Sequence, residues 1–141
     1  MTKQIVVVDD DRDILEFMQL TLEYEGYRVK ASPDGGCFRQ LQPGDLPDLI
    51  LLDVQLSGED GRAICRRLRA NELTRRIPII LYSAIDVGNQ VRKEGYAEDF
   101  LPKPFSLDAL IDKVLQHLPS SQMYVSRVLY PPARCFFPIL P

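Results

Sequence analysis

Short apolar runs alternate with segments of helical periodicity over the first 118 residues. Continuous apolar runs occupy 5–8, 49–52 and 79–81. Such runs are typical of strands that are buried on both faces of a parallel sheet. Residues 27–31 alternate between apolar and basic side chains, which predicts a strand with one wetter face. Phe100-Leu101, followed by a proline, predicts a brief strand at a sheet edge.

Helical patterns fill the intervals between these runs. Apolar residues recur on one face over 14–22, and Gly26 follows where a helix would end. The strongest pattern covers 107–118, with Ser106 as its predicted N-cap. A further helix is predicted around 63–68. Residues 34–42 and 87–95 give weaker helical patterns, because Gly35-Gly36 and Gly88 oppose helix formation.

Repeated strand–helix units predict an α/β fold, a doubly wound parallel sheet of five strands with helices on both sides. We assign residues 1–118 to this domain. Residues 119–141 form a different segment, with five prolines, four aromatic residues and no acidic residue. This tail is too short for a winged helix or helix-turn-helix, so we expect no effector domain and no direct DNA binding.

Composition narrows the class of protein. The chain has 141 residues, of which 45% are hydrophobic, and a net charge of −3, which argues against a dedicated nucleic-acid binder. No apolar run approaches the ~18 residues of a membrane-spanning helix, and the N-terminus lacks the pattern of a signal peptide. Cys37, Cys65 and Cys135 are too few and too widely spaced for a disulfide framework or a zinc site. We therefore expect a cytoplasmic protein with no membrane contact.

Polar residues follow four of the predicted strands. The carboxyl ends of parallel strands meet at one edge of the sheet, where ligands bind in open α/β folds. Each residue alone has an ordinary explanation: Asp11, for example, is predicted to cap the first helix. Their coincidence at one rim is what needs explaining. The residues are Asp9, Asp10 and Asp11 after the first strand, Asp53, Ser83 and Lys103.

The electrostatics of such a rim indicate phosphoryl chemistry. Neighbouring carboxylates repel one another, so they must take up a proton or bind a cation, and their oxygens suit Mg²⁺. A lysine and a hydroxyl can contact phosphoryl oxygens, and an aspartate beside a cation can act as a nucleophile toward phosphorus. The set of residues therefore predicts phosphoryl transfer to a carboxylate.

Five segments together resemble the response-regulator receiver domains of two-component signalling. The resemblance covers about residues 3–118. It implies a flavodoxin-like receiver fold with strand order 2-1-3-4-5. The matching segments are Val6-Val7-Val8-Asp9-Asp10-Asp11, Asp48-Leu49-Ile50-Leu51-Leu52-Asp53, Ser57-Gly58-Glu59-Asp60-Gly61, Ser83-Ala84 and Leu101-Pro102-Lys103-Pro104-Phe105.

The resemblance implies a phosphorylation site and a metal site. Asp53 would accept the phosphoryl group. Asp10 and Asp53 would bind Mg²⁺ directly, Asp9 would act through water, and the backbone carbonyl of Gln55 would complete the protein ligands.

It also implies catalytic and switch residues. Lys103 would pair with the phosphoryl group and would precede a cis peptide bond to Pro104. Ser83 would move toward a phosphoryl oxygen, and Phe100 would then swing into the vacated space. Phosphorylation would thereby bias a bistable element.

The chain departs from the family pattern in the stretch from Ser83 to Lys103, which is shorter than usual and contains Gly88. This leaves the fourth helix in question. Ile85 is apolar where relatives often carry a polar residue that positions the hydrolytic water. We therefore expect a long-lived aspartyl phosphate.

The resemblance implies a sensor histidine kinase or phosphotransfer protein as donor, and a downstream protein target. The chain would not be an enzyme beyond its own phosphorylation and dephosphorylation. Apolar residues of the tail, if unpacked, would favour a homodimer. Arginines between positions 62 and 76 are interpreted as a solvated helix face.

Three alternative functions compete with this interpretation. An aspartate-based phosphatase of the haloacid dehalogenase type would need Thr or Val at position 13, which is Asp. A flavodoxin-type electron carrier would need a Gly/Ser/Thr-rich loop where this chain has three aspartates. A pseudo-receiver that only binds partners lacks support, because no key residue is missing.

Overall fold

A computed structural model describes residues 2–119, so the predicted tail lies outside the described residues from position 120 onward. The described part alternates strands with helices. Its strands are β1 (Gln4–Val8), β2 (Arg28–Ser32), β3 (Leu49–Asp53), β4 (Gln55–Leu56), β5 (Glu59–Asp60), β6 (Ile79–Ser83) and β7 (Asp99–Pro102). Its α-helices are α1 (Arg12–Tyr24), α2 (Gly61–Ala70), α3 (Gly88–Glu94) and α4 (Leu107–His117).

Five strands form one parallel sheet in the order β2-β1-β3-β6-β7. Counted along the chain, these sheet strands lie in the order 2-1-3-4-5, which confirms the prediction. The remaining two strands, β4 and β5, form a short antiparallel hairpin directly after β3. The brief strand predicted at Phe100 is the edge strand β7.

The core lies on both faces of the sheet. Every residue of β3 and β6 is buried, as the continuous apolar runs predict. One apolar cluster joins the sheet to α2 and α3, and a second joins it to α1 and α4. β2 lies at the other edge, and its Arg28 and Lys30 are exposed. No helix of the described residues is long and apolar enough to cross a membrane.

Helix ends follow the predicted capping residues. The Asp11 carboxylate accepts hydrogen bonds from the backbone N–H groups of Asp13 and Ile14, and the Ser106 hydroxyl accepts one from Ala109. Gly26 follows α1 with a φ of 101°, a conformation that favours glycine.

The crossover from β2 to β3 differs from the repeated strand–helix pattern. It contains two 3₁₀ turns, Gly35–Phe38 and Pro43–Asp45, and no α-helix. The expectation of a helix after every strand is therefore wrong here, because Gly35-Gly36 disfavours helical backbone and a proline follows shortly after. By contrast, the questioned fourth helix does form, as α3, and ends at Gly95 with a φ of 68°.

The arginines of α2 are exposed or half-buried, but they are paired rather than merely solvated. Arg69 is the most connected: it also donates to the backbone carbonyls of Tyr96, Arg75 and Ile77. The ion pairs are Arg62–Asp60, Arg66–Glu94, Arg67–Glu59 and Arg69–Glu98.

Candidate functional site

The sheet brings the predicted site residues to one rim. In the sheet register Asp53 lies beside Tyr82, and Ser83 lies beside Pro102. The backbone N–H of Lys103 donates to the Ser83 carbonyl at 2.8 Å, which extends this pairing by one residue. Asp9, Asp53, Ser83 and Lys103 thus meet at the carboxyl ends of adjacent strands, as predicted.

Two of the carboxylates are buried and share one ammonium group. Asp9 is fully buried and Asp53 is 3% exposed. Lys103 Nζ lies 3.3 Å from Asp9 Oδ2 and 3.2 Å from Asp53 Oδ2. The other oxygen of each carboxylate accepts a backbone hydrogen bond, from Asp11 N–H to Asp9 at 2.8 Å and from Gln55 N–H to Asp53 at 3.1 Å. These bonds fix both carboxylates in place.

Asp10 is the exposed member of the group. Its Oδ2 accepts hydrogen bonds from the hydroxyl and from the backbone N–H of Ser57, the latter at 2.9 Å. These bonds from Ser57 lower the pKa of Asp10. The sequence did not indicate this contact, because it depends on the turn of the β4–β5 hairpin.

The pKa of Asp53 is raised, and burial is the main cause. The Gln55 N–H opposes this rise, the negative charge of Asp9 adds to it, and Lys103 opposes it again. Among the described residues, the rim holds three carboxylates and one ammonium group, so negative charge there is incompletely balanced.

The donor set fits a hard divalent cation. Asp9, Asp10 and Asp53 each offer a carboxylate oxygen, and these oxygens lie within 4.8 Å of one another. Few carboxylates, with room for water or phosphoryl oxygens, suit Mg²⁺. The residues present are therefore compatible with the predicted magnesium site.

A glycine allows the close packing behind the phosphoacceptor candidate. The Gly61 N–H donates to the Val54 carbonyl at 2.7 Å. A Cβ at position 61 would lie only 2.0 Å from the Asp53 carbonyl oxygen. Gly61, which opens α2, is thus required by the path of the backbone around Asp53.

Lys103 is supported by an aromatic residue that the sequence did not single out. The Lys103–Pro104 peptide bond is cis, as the resemblance implied. Lys103 Nζ lies 5.1 Å from the centre of the Tyr82 ring, whose hydroxyl donates to the Val8 carbonyl at 3.0 Å. Tyr82 also packs edge-on against Phe105. These contacts hold the Tyr82 ring in place beside the ammonium group of Lys103.

The two predicted switch residues lie on neighbouring strands. Ser83 is 1% exposed, and its hydroxyl accepts a hydrogen bond from the Ile85 N–H at 3.0 Å. Phe100 is half-buried, and its ring lies beside Gly88 at the start of α3, where a Cβ would be in ordinary van der Waals contact with it at 3.4 Å. Ile85 itself is half exposed at the rim.

Comparison with known proteins identifies the family. The model of the response regulator receiver domain matches residues 5–115. The chain belongs to the response-regulator receiver domain family. Receiver domains act in two-component signalling, are generally signalling domains rather than enzymes, and bind Mg²⁺ at an acidic pocket. The cluster of Asp9, Asp10 and Asp53 is compatible with phosphorylation and magnesium binding.

Individual relatives agree with this assignment. The response regulator PleD of Caulobacter vibrioides is 40% identical over 106 residues, which is 74% of this chain but 23% of PleD. The receiver domain of a signal transduction histidine kinase from Syntrophus aciditrophicus is 32% identical, with a TM-score of 0.72 over 83% of this chain and 90% of that one. The response regulator TrrA of Thermotoga maritima, solved in complex with Mg(2+)-BeF, is 27% identical, with a TM-score of 0.72 over 83% of this chain and all of that one.

Proposed function

We propose that this receiver domain is a phosphorylation-dependent switch whose phosphoacceptor is Asp53. The observation that carries the proposal is the buried Asp53 carboxylate, held by the Gln55 N–H and within 3.2 Å of Lys103, beside two further carboxylates. A buried nucleophile with one adjacent cation and an incompletely balanced negative charge is suited to receive a phosphoryl group together with a metal ion.

The side chains of the site would have separate roles in phosphoryl transfer. An Asp53 oxygen forms the new O–P bond while the P–N bond of a donor phosphohistidine breaks, and that electron pair leaves with the imidazole. Lys103 offsets negative charge on the phosphoryl oxygens. Asp10, Asp53 and the Gln55 carbonyl would hold Mg²⁺, with Asp9 acting through water, and the ion would offset charge on the same oxygens.

The response would be carried by Ser83 and Phe100. The Ser83 hydroxyl accepts one hydrogen bond and can donate its own proton to a phosphoryl oxygen. Phe100 contacts the start of α3 and would move into the space that Ser83 leaves. The expected consequence is a change in the surface formed by α3 and β7, which a downstream protein would read.

The donor would be a sensor histidine kinase or a phosphotransfer protein in the cytoplasm. Autophosphorylation from small donors and hydrolysis of its own aspartyl phosphate would be the only reactions of residues 1–118. We propose output through protein contacts, including a homodimer, rather than direct DNA binding. TrrA, a relative solved with Mg(2+)-BeF, supports the metal assignment.

A phosphatase of the haloacid dehalogenase type is not favoured. The family assignment does not support it, and Asp13 occupies the position where that motif needs Thr or Val.

The proposal is tested by intact-protein mass after incubation with Mg²⁺ and acetyl phosphate. We expect a gain of one phosphoryl group in the wild type and in Asp13→Ala, an exposed acid of α1, and no gain in Asp53→Ala. No gain in the wild type, even with a competent kinase, would refute phosphoacceptor function. Continuous release of phosphate over many turnovers would instead favour the phosphatase.

A further inference from the structure

The crossover between β2 and β3 leaves a cavity where a helix would otherwise cover the sheet. Residues of its two 3₁₀ turns, Gly35–Phe38 and Pro43–Asp45, line this cavity together with residues of β1 and β2. The cavity, which is partly open to solvent, has a volume of about 400 Å³. Small-molecule sites in proteins start at roughly 300 Å³. The cavity is therefore large enough for a small organic ligand.

One part of the cavity wall is apolar. Val6 of β1 is buried, and Phe38 and Leu41 of the crossover are half-buried. All three line the cavity. A compact apolar group placed against them would be removed from water on several sides, which is favourable in proportion to the area that it buries.

Another part of the wall is cationic. Val6 lies beside Lys30 in the parallel register, and Gln4 lies beside Arg28. Because side chains alternate along a strand, Arg28 and Lys30 project from the same face of β2, and both line the cavity. Within residues 2–119, Asp45 is the one acidic residue that lines it, so positive charge is in excess there.

Arg28 and Lys30 are among the cations of residues 2–119 that have no carboxylate partner. The ammonium groups of Lys103 and Lys113 and four guanidinium groups of α2 each contact a carboxylate. Among the described residues, neither Arg28 nor Lys30 forms an ion pair. Two unpaired cations beside an apolar wall are complementary to a molecule that has both an anionic and an apolar end.

We propose that this cavity binds a small organic carboxylate with a compact apolar body. The apolar body would lie against Val6, Phe38 and Leu41, and the carboxylate would meet Arg28 and Lys30. Gln4 begins β1 whereas Asp9 follows its end, so this site and the phosphoryl-transfer rim lie toward opposite ends of the strand. The proposal does not depend on phosphorylation of Asp53.

Titration of the ¹⁵N-labelled full chain with 1-naphthoate, followed by amide chemical shifts, tests the proposal. We expect saturable shifts centred on the amides of Lys30, Gly36 and Gly44. The ligand 1-naphthylmethylammonium, which has the same ring and the opposite charge, should not produce them. This comparison uses the wild-type protein and so is independent of whether any variant folds.

Charge reversal at the site provides the second arm of the test. Arg28→Glu combined with Lys30→Glu should weaken naphthoate binding by about five- to thirtyfold, as expected for the loss of two partly exposed ion pairs. Arg75→Glu combined with Arg76→Glu changes the net charge equally at exposed positions outside the cavity, and should bind as the wild type does.

Four results would overturn the proposal. They are the absence of saturable shifts, equal binding of the ammonium ligand, equal weakening in both double variants, and shifts confined to the separate apolar recess at Ile14, Phe17 and Phe105.

Discussion

Charged residues are arranged differently at the rim of the sheet and along α2. At the rim, Asp9 and Asp53 are buried and share the single ammonium group of Lys103. Along α2, the charges are largely exposed and each cation has a carboxylate of its own. The α2 pairs are Arg62–Asp60, Arg66–Glu94, Arg67–Glu59 and Arg69–Glu98.

Under the proposed function, this difference separates charges that stabilise the fold from charges that take part in phosphoryl transfer. An exposed, fully paired set contributes a little to stability and leaves no site for a further ion. A buried set with excess negative charge opposes folding until a cation joins it. Neutralising a carboxylate of the rim should therefore impair phosphorylation and raise the free energy of unfolding. Neutralising a carboxylate of the α2 ion pairs should only lower the free energy of unfolding.

The largest effect is expected from removing the cation at the rim. Lys103→Ala should slow phosphorylation by acetyl phosphate with Mg²⁺ by about 100-fold, because the preorganised positive charge beside the transferring phosphoryl group is lost. The rate of phosphoprotein formation, followed by mass, measures this.

Lys113→Ala is the matched control, because Lys113 pairs with Asp99 away from the phosphoacceptor. Its rate should equal that of the wild type. Equal slowing in both variants would show that Lys103 has no special role.

The next prediction concerns the free energy of unfolding, which should change in opposite directions in two variants. Without Mg²⁺, Asp53→Asn should raise the free energy of unfolding by about 1–2 kcal/mol, because it removes one of two buried carboxylates that share a cation. Asp60→Ala should lower it by about 1 kcal/mol, because Asp60 caps α2 and pairs with Arg62. Urea unfolding in the presence of a chelator measures both. Destabilisation by Asp53→Asn would contradict the proposed charge imbalance.

A smaller effect concerns the lifetime of the phosphate. Ile85→Glu should hydrolyse its aspartyl phosphate about tenfold faster, equivalent to about 1.4 kcal/mol in the barrier, because a polar side chain at this rim position can orient water. Loss of the phosphoryl group over time, measured by mass, gives the rate. Ile85→Leu should match the wild type, and an Ile85→Glu variant that is no faster would count against a long-lived phosphate.

The smallest expected effect is the pH dependence of stability that comes from the Arg62–Asp60 ion pair of α2. A hydrogen bond from Arg62 lowers the pKa of Asp60 below its ordinary value of 3.8. A lowered folded-state pKa means that the contribution to stability is present above the unfolded pKa and is lost as pH falls through the folded pKa. Arg62→Gln should therefore shrink the loss of stability below about pH 4. Urea midpoints across that range would show it, and an unchanged acid profile would mean that the pair contributes nothing.

The positions of the rim residues could be predicted from the sequence because the signals for them are local. Apolar runs locate the strands, and Asp53 and Ser83 are the last residues of β3 and β6. Parallel pairing then brings their side chains together without further information. The caps at Asp11 and Ser106 depend on only three or four neighbouring residues, so they too were predicted.

Features that depend on three-dimensional contacts were not predicted. Ser57 bonds Asp10 across 47 positions, through a turn whose path the sequence does not specify. Tyr82 supports Lys103 by its position in a buried strand that looks merely apolar in the sequence. The helix α3 forms although Gly88 opposes it, because Val91 on this helix is buried in the apolar cluster against the sheet.

The central claim is that Asp53 carries the phosphoryl group, and mapping the modification to a residue tests it most directly. After incubation with acetyl phosphate and Mg²⁺, borohydride reduction of the acyl phosphate followed by peptide sequencing in the mass spectrometer marks the modified aspartate. The account predicts a single mark at Asp53. A mark at Asp9, at Asp10 or at an aspartate outside the rim, with Asp53 unmodified, would contradict it.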